Sequence, residues 1–463
     1  MKKTLSLVFT AAAFAGLTAC NSSNETLVIP PPPPAPPTPP PAIVDATLRV
    51  IHASSDAPNV NILVAGQSVV EDLAYAQSSD NFNLPPATYN IAVQARLPGN
   101  SAATVIGPLD VTLAEAKNYK VFAVGSVAGA SLEPLVVSSD VKALTAGNVR
   151  LQVVHAASAA PAVDVHVTAP NDALGAALAT LDFKQSTAAV DVPAGNYRVR
   201  ITLPGQQTVV FDSGALELAG GTDLVVAAIN NRLSGESPVS LLAVAPDGSF
   251  FDIADVNTTA SVRVVHNVSD APAVDVIVND SIKLVEGLAF PDFTDYLGVA
   301  PATYNVKVAA AADNNIVVID ADLALEKGAF YSVLAVGSLG DTSVAPLVLA
   351  DTPRRIATEA QVRIVHGSTL AGPVDIYVTT TSNINDVTPA FSGVAFKEET
   401  GYVSLNAGEY VVTVTPAGSK TAAIGPVALD LAANRIYTAV ARDGAGLTGE
   451  VGLILLDDFV TTD

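Results

Sequence analysis

Hydrophobic and polar residues alternate over short runs along most of this chain, and turn-forming residues separate the runs. In residues 257–351, the stretch 261–266 alternates, a turn rich in Asn, Ser, Asp and Pro follows, and the valines at 274, 276 and 278 continue with a period of two. That period is typical of β-strands. The same pattern predicts further strands at 283–288, 294–298, 304–309, 316–323, 330–338 and 345–349. Short strands separated by a turn about every ten residues predict an all-β, immunoglobulin-like Greek-key sandwich.

A five-residue strand that ends in His occurs four times, at intervals of about a hundred residues. The copies lie at 48–52, 151–155, 262–266 and 362–366. Nine residues after each His comes an acid or its amide: Asn61, Asp164, Asp275 and Asp375. A turn that ends in Tyr also recurs in register, and we interpret its tyrosines as packing anchors: Tyr89, Tyr197, Tyr304 and Tyr410. A spacing kept through four copies predicts one structural unit repeated four times.

This repeat sets the domain organisation. The chain has 463 residues, which is long for one domain, and units of about 100 residues can each bury a core. We expect four tandem immunoglobulin-like Greek-key β-sandwich domains at residues 44–141, 146–246, 257–351 and 358–459. The links are short, as at 352–355, so we expect a semi-rigid string with a separate core in each copy.

The first twenty residues are typical of an export signal. Met1-Lys2-Lys3 is basic, and residues 5–17 are apolar but short for a membrane span. The stretch 17–20, Leu-Thr-Ala-Cys, resembles the bacterial lipobox, which implies removal of residues 1–19 and lipidation of Cys20. Cys20 is the only cysteine, so a disulfide within the chain is excluded. An ordinary secretory signal with an incidental cysteine is the alternative.

Residues 20–43 are expected to form a lipidated, proline-rich linker. Ten of the twelve residues from 30 to 41 are proline, which favours a polyproline II spacer of roughly 37 Å. A ligand for a proline-reading domain is the alternative. In the lipoproteins that this segment resembles, Asn21 in place of Asp favours the outer membrane. We therefore expect a protein anchored there through Cys20, facing either the periplasm or the exterior.

Charge and composition narrow the partners. The formal net charge is −22, and removal of Lys2 and Lys3 with the signal makes it −24. Such a charge opposes binding to nucleic acid and electrostatic adhesion to anionic lipid. It is compatible with a solvated acidic surface, the favoured interpretation, or with weak cation binding. The chain has no Trp, which weakens a sugar-binding hypothesis.

The repeated motif combines the His, an Ala-Pro turn, a Val-Asp-Val strand and a later Ala-Val-Gly-Ser strand. It resembles the bacterial family of domain-of-unknown-function 4397, over nearly all of the chain after the linker. The resemblance implies extracytoplasmic, β-rich domains, often in tandem, and no established activity. Three departures weaken any chemistry that needs every copy: Asn61 replaces the acid, Gln152 replaces Arg, and Pro373 is shifted by one residue.

The repeated histidines are the candidate site residues. With the later acids they could form half of a hydrolase triad or a metal-ligand pair: His52, His155 with Asp164, His266 with Asp275, and His366 with Asp375. No nucleophile recurs beside them, and one imidazole per domain does not make a metal site. We favour a structural role, in which each ring binds either the backbone of the following turn or the acid. His166 belongs to one copy only.

Two further motifs are weak. Residues 444–449 match the dinucleotide-binding glycine pattern in letters, but a strand follows in place of a helix, so we interpret them as a hairpin turn. Asp247-Gly248 is likewise interpreted as a turn, because no acidic calcium-loop spacing surrounds it.

Together these features predict a protein that is not an enzyme and needs no metal or cofactor. The favoured function is that of a lipid-anchored cell-envelope protein, which presents a semi-rigid rod of four sandwiches to an envelope or surface partner of unknown identity. The alternative is an extracytoplasmic module that binds a small ligand or cation at inter-domain grooves lined by acids. The oligomeric state stays open.

Overall fold

The computed structural model describes residues 44–460, and these residues are almost entirely β-structure. They form 33 strands in eight sheets, with one short 3-10 turn at Pro98–Asn100. A helix with the length and apolar character needed to cross a membrane does not occur among them. The expected signal peptide, Cys20 and the proline-rich linker lie outside the described residues.

The first two copies of the repeat account for seventeen strands. Copy one contains β1 (Ala46–His52), β2 (Val60–Val64), β3 (Gln67–Leu73), β4 (Phe82–Leu84), β5 (Ala87–Leu97), β6 (Ser101–Leu113), β7 (Lys117–Val124) and β8 (Glu133–Asp140). Copy two contains β9 (Asn148–His155), β10 (Val163–Thr168), β11 (Ala179–Leu181), β12 (Val190–Pro193), β13 (Gly195–Thr202), β14 (Val209–Leu218), β15 (Asp223–Asn230), β16 (Val239–Val244) and β17 (Phe250–Ile253).

The last two copies repeat the same order with eight strands each. Copy three contains β18 (Ala260–Asn267), β19 (Val274–Val278), β20 (Ile282–Leu288), β21 (Leu297–Val299), β22 (Thr303–Ala310), β23 (Asp313–Ala324), β24 (Phe330–Val336) and β25 (Ala345–Asp351). Copy four contains β26 (Ala360–His366), β27 (Val374–Thr379), β28 (Phe391–Val394), β29 (Val403–Leu405), β30 (Gly408–Pro416), β31 (Ile424–Leu431), β32 (Arg435–Asp443) and β33 (Val451–Asp457).

Each copy is a sandwich of two sheets, as the alternating pattern predicts. The sheet that we call the inner sheet has the order β4-β1-β7-β8 in copy one, with the His-bearing strand β1 parallel to β7. The outer sheet has the order β3-β2-β5-β6. The other copies repeat both orders, and copy two adds β17 to its inner sheet. The turn at Asp247-Gly248 leads into β17, which therefore lies beyond the boundary expected at residue 246.

The strands expected in copy three are present, and one of them is shifted. The strand expected at 294–298 is reduced to β21, because Thr294 binds the neighbouring strand from a loop. The N–H of Thr294 donates to the carbonyl of Val264 at 2.9 Å, and its hydroxyl accepts the N–H of Val264 at 3.0 Å. In copy four, residues 444–449 form the loop that joins β32 to β33 in a hairpin, as predicted.

The repeated tyrosines close the turns that precede their strands. Each hydroxyl donates to the backbone carbonyl four residues earlier: Tyr89 to Pro85 at 3.0 Å, Tyr197 to Pro193 at 2.8 Å, Tyr304 to Ala300 at 2.8 Å and Tyr410 to Asn406 at 3.0 Å. A phenol that packs its ring and donates its hydroxyl satisfies both ends of the side chain. These residues are packing anchors, as their position in the repeat predicts.

The inner sheet of each copy is buried on both faces. In β1, Leu48 and Val50 point into the sandwich of copy one, whereas Ile51 points to the opposite side. Successive side chains of a strand alternate between the two faces of its sheet. The inner sheet therefore contributes to two hydrophobic cores.

Copies one and two share the second of these cores, and copies three and four share another. Ile51, Phe122 and Val124 of copy one pack with Ile229 and Leu242 of copy two. The inner sheets of copies three and four pack together in the same manner. Each copy thus has a core of its own between its two sheets, as expected, and the core shared with a neighbouring copy is an addition that was not expected. An inner sheet that is apolar on both faces needs a cover on each, and the copies form two double sandwiches.

The link between copies three and four folds back onto copy one. Arg354 donates from Nε to the carbonyl of Ser55 at 2.8 Å, and its guanidinium lies 5.1 Å from the centre of the Tyr75 ring. The N–H of Ala357 donates to the carbonyl of Asp56 at 2.8 Å. These contacts join the two double sandwiches into one compact unit, where a semi-rigid string was expected.

Candidate functional site

The four motif histidines make the same contact in every copy. Each is almost completely buried at the end of its strand, and its Nε2 contacts a backbone carbonyl oxygen six residues later. The contacts are His52 to Pro58 at 2.9 Å, His155 to Pro161 at 2.9 Å, His266 to Pro272 at 3.0 Å and His366 to Gly372 at 3.0 Å. The ring therefore closes the turn that follows it.

An aromatic side chain stands edge-on to each of these rings. The pairs, with the distances between ring centres, are His52–Tyr75 at 6.0 Å, His155–Phe183 at 6.2 Å, His266–Phe290 at 6.2 Å and His366–Phe396 at 6.4 Å. Edge-to-face packing is the favourable arrangement for such rings. These aromatics were not predicted from the sequence. The signal was present, because each is the second residue after the Leu or Val that ends a strand: Leu73, Leu181, Leu288 and Val394.

Hydrogen bonds and burial hold the ring of His52 neutral. Its Nδ1 lies 3.4 Å from the N–H of Ser54 and accepts from it, which places the ring proton on Nε2, where it is donated to Pro58. Burial away from water lowers the pKa of His52 to about 4, and burial also lowers the pKa of His266. In copies one and three, where Nδ1 also accepts a backbone N–H, the ring has no free lone pair for a metal ion or a substrate proton. In copies two and four, Nδ1 of the motif His is buried and has no hydrogen-bond partner among residues 44–460.

The acids that follow the histidines bind elsewhere. Asp275 accepts hydrogen bonds from Lys283 Nζ at 2.7 Å, Asn314 Nδ2 at 2.8 Å and the N–H of Gly287 at 2.9 Å. The hydrogen bond from Lys283 is the main cause that lowers the pKa of Asp275 to about 2. In the other copies the donors are Thr180 and Gly205 to Asp164, Gly393 and Gly418 to Asp375, and the N–H of Asp72 to Asn61. Of the two partners that the sequence left open for the His, the structure shows the backbone turn.

A second carboxylate fastens the same end of the sandwich in copies one and three. Asp56 accepts hydrogen bonds from the hydroxyl of Ser126 at 2.6 Å and from the N–H groups of Val127 and Ala128 at 2.9 Å. The equivalent acceptor in copy three is Asp270, with donors Ser338, Leu339 and Gly340. This clamp joins the turn after the His to the loop after the parallel inner strand.

Copies two and four keep the clamp but place its side chain on the last residue of the parallel inner strand, opposite the turn after the His. Asn230 accepts from the N–H of Ala159 at 3.0 Å, and Asp443 accepts from the N–H of Thr369 at 2.9 Å. The position of Asn230 is occupied in copy one by Gly125, which has no side chain to form the clamp. Each double sandwich therefore contains one clamp of each kind, a pattern that our sequence analysis also missed.

Copies three and four exchange buried ion pairs across their shared core. Arg263 Nη1 of copy three lies 2.7 Å from Asp457 of copy four, and Arg363 Nη2 of copy four lies 2.5 Å from Asp351 of copy three. The two arginines occupy the same motif position, and the two aspartates end equivalent strands. The interface is therefore self-complementary, like that of a twofold dimer.

The remaining candidates do not gather into a chemical centre. Across residues 44–460, no three His, Cys, Asp or Glu side chains form a group that could hold a metal ion. His166, which belongs to copy two, contacts the hydroxyl of Thr202 at 3.2 Å within the outer sheet. The repeated polar residues thus fasten turns, loops and neighbouring copies.

Comparison with known proteins identifies a family, but this family has no known function. No curated protein matches the chain. Among solved structures, the Bacillus anthracis TIE protein is 11% identical, with 83% of this chain and 65% of that one covered and a TM-score of 0.14. A product complex of the multi-modular glycogen-degrading pneumococcal virulence factor SpuA is 8% identical, with 58% and 37% covered and a TM-score of 0.14. This chain thus spans less than two thirds of the length of either protein.

The family match is the informative result. The family described as Domain of unknown function (DUF4397) matches residues 46–166, 260–377 and 378–463, which is more than half of the chain. These segments contain all four of the His-bearing strands whose contacts are described above. The chain belongs to the DUF4397 family.

Proposed function

We propose that this protein is a lipid-anchored structural or interaction protein of the cell envelope, which presents its four β-sandwich repeats as one semi-rigid body. The observation that carries the proposal is the use of the repeated polar residues. In every copy the motif His closes the turn that follows it, and an aromatic ring packs edge-on to the His. The clamp side chain joins the same turn to the end of the parallel inner strand or the loop after it. A repeat whose polar residues fasten the fold suits a module selected for shape and rigidity.

Stiffness supports the same proposal. The inner sheets share cores in pairs, and Arg354 ties the second pair to the first. A body held by apolar cores moves less than domains on flexible links. Such a body can hold a binding surface at a fixed distance from a membrane.

The anchor is proposed from the sequence. Cys20 follows a short apolar segment and precedes the proline-rich stretch. Several acyl chains on one cysteine give stable membrane attachment, whereas a single chain is marginal. Because Asn21 stands in place of Asp after Cys20, we propose that the protein is anchored in the outer membrane. Its proposed partner is an envelope component or an external surface.

Substitution of the cysteine tests the anchor. Cys20→Ala should move the protein from the membrane fraction to the soluble fraction and abolish incorporation of labelled fatty acid, because the acyl attachment site is lost. Ser22→Ala, two residues away, is the matched control and should stay in the membrane fraction. Retention of Cys20→Ala in the membrane at the control level would defeat the lipoprotein assignment.

The alternative function, a binding module at an inter-domain groove, has one observation in its favour. A polar cavity of about 60 Å³ lies between copies one and two and is lined in part by Arg49, Lys120 and Asp223. Under the favoured proposal, zinc, nickel and copper ions leave the melting temperature of the protein unchanged. Two cations and one acid line this cavity, so the ligand that it fits is a small anion. A rise in the melting temperature with inorganic phosphate, lost in Lys120→Gln, would favour the alternative.

A further inference from the structure

Copy three contains a large apolar cavity between its two sheets. The cavity measures about 250 Å³, whereas the corresponding space in copy two measures about 20 Å³. Its walls are mainly Val, Leu, Ile and Ala side chains from both sheets. An engineered apolar cavity of roughly 150 Å³ stays dry and binds benzene. The space in copy three is therefore large enough for a small organic ligand.

Four core positions contribute to the empty space in this copy. Copy three has Val at all of them: Val262, Val264, Val276 and Val308. Every other copy has a larger residue at two of the equivalent positions: Leu48 and Ile62 in copy one, Leu151 and Ile201 in copy two, and Ile364 and Ile376 in copy four. Strand pairing fixes the equivalence, since Val276 faces Val308 as Ile62 faces Val93 and Ile376 faces Val414. The other copies thus fill part of this space with two extra methylene groups, and copy two fills more of it with Phe211, which stands where copy three has Ile319.

The cavity opens at one end of the outer sheet. Ile282 lines it and is 58% exposed, and the exposed Asp322 lines the same end. Ile282 pairs with Val278, and Val278 pairs with Val306, so these residues form one row across the sheet. An apolar residue that is exposed at the rim of an apolar cavity gives a ligand a path into it.

The lining indicates the chemistry of the ligand. Among the residues that line the cavity there is no Lys or Arg, and Asp322 at the rim repels an anionic head group. The two other polar side chains are already engaged, since His266 contacts Pro272 at 3.0 Å and Tyr304 donates to Ala300 at 2.8 Å. The remaining contact surface consists of methyl and methylene groups, which suits a flexible aliphatic chain.

We propose that copy three binds a neutral aliphatic molecule, of the class of medium-chain alcohols and alkanes, between its two sheets. Side chains around empty apolar space lose dispersion contacts, and an alkyl chain restores them. Water gains little there, because it needs several free polar partners. This binding activity goes beyond the proposed envelope role and does not depend on the lipid anchor.

Binding of 1-decanol to the full chain carrying Cys20→Ala tests the proposal by calorimetry and thermal melting. We expect one molecule bound per chain, a raised melting temperature, and at least tenfold weaker binding of decanoate at neutral pH. Val262→Leu with Val276→Ile gives copy three the residues of copy one. This double variant should melt higher without ligand and bind decanol at least tenfold more weakly, so unfolding cannot account for the loss.

A second filling variant tests the proposal independently of that substitution. Val308 pairs with Ile319 as Ile201 pairs with Phe211 in copy two, so Ile319→Phe gives copy three the larger side chain of the copy whose space is small. It should also bind decanol at least tenfold more weakly, and it decides the matter if the double variant does not fold. The proposal is overturned if the parent chain binds no decanol, if a folded filling variant binds it with unchanged affinity, or if decanoate binds equally well.

Discussion

At the scale of single residues, the motif His acts through a backbone atom. Its contact therefore survives in copy four, where Pro373 is shifted and Gly372 provides the carbonyl oxygen. The sequence indicated a structural His, but it did not identify the partner, because every residue has a backbone carbonyl. The contact of Tyr75 with His52 could not be predicted either, because the position of an aromatic residue after a strand does not show which side chain it packs against. Recurrence in register was the only available signal.

The buried His52 should make stability depend on pH. Its pKa is about 4 in the folded protein and 6.5 ordinarily, so the unfolded chain binds more protons between these values. The stabilisation is therefore complete above pH 6.5 and is lost as the pH falls towards 4, by about 3 kcal/mol. Denaturant unfolding at pH 7 and pH 4.5 should show a smaller pH dependence in His52→Gln, which does not titrate. An identical dependence in both proteins would contradict the neutral, buried ring.

At the scale of elements, the inner sheet holds the protein together. The sequence predicted its strands, because alternation and turn residues mark their limits. It did not predict that both faces are covered, since the motif strand carries polar Arg49 and His52 among its apolar residues. The apolar run 225–229 in β15 was the informative signal, as continuous apolar runs are typical of doubly buried strands. The sequence pattern of one copy does not show which surface covers the second face, because this depends on the tertiary packing of the copies.

The exchanged ion pairs of this interface should matter more than exposed ones. Asp351→Ala leaves Arg363, whose side chain is 0% exposed, with only the more distant carboxylate of Glu399 at 3.5 Å, and should lower the free energy of unfolding by about 3–5 kcal/mol. Asp140→Ala is the matched control, because it removes the exposed ion pair with Lys117 in copy one and should cause no measurable change. Urea unfolding of both variants measures the difference. Equal effects of the two substitutions would count against a structural role for the buried pair.

At the scale of the whole molecule, four copies build two double sandwiches. The number of copies followed from the spacing of the histidines, since a fixed interval in sequence reports a repeated unit. Their pairing did not follow, because short links are compatible both with a string of separate domains and with packed neighbours. The clamp side chain lies after the His in copy one, as Asp56, and at the end of the parallel strand in copy two, as Asn230. This difference follows the pairing of the copies, but it can be recognised only when the paired copies are compared in the structure.

Sedimentation of two fragments tests the shared core most directly. Residues 257–460 contain both inner sheets of the second pair and should sediment as a monomer. Residues 257–351 contain one inner sheet, whose outward face presents Val265, Leu334 and Val336 without their cover. Exposed apolar patches of this kind drive association, so the shorter fragment should sediment as a dimer through that face. A monomeric 257–351 that unfolds as cooperatively as the longer fragment would show that each copy is self-contained, and would contradict the account.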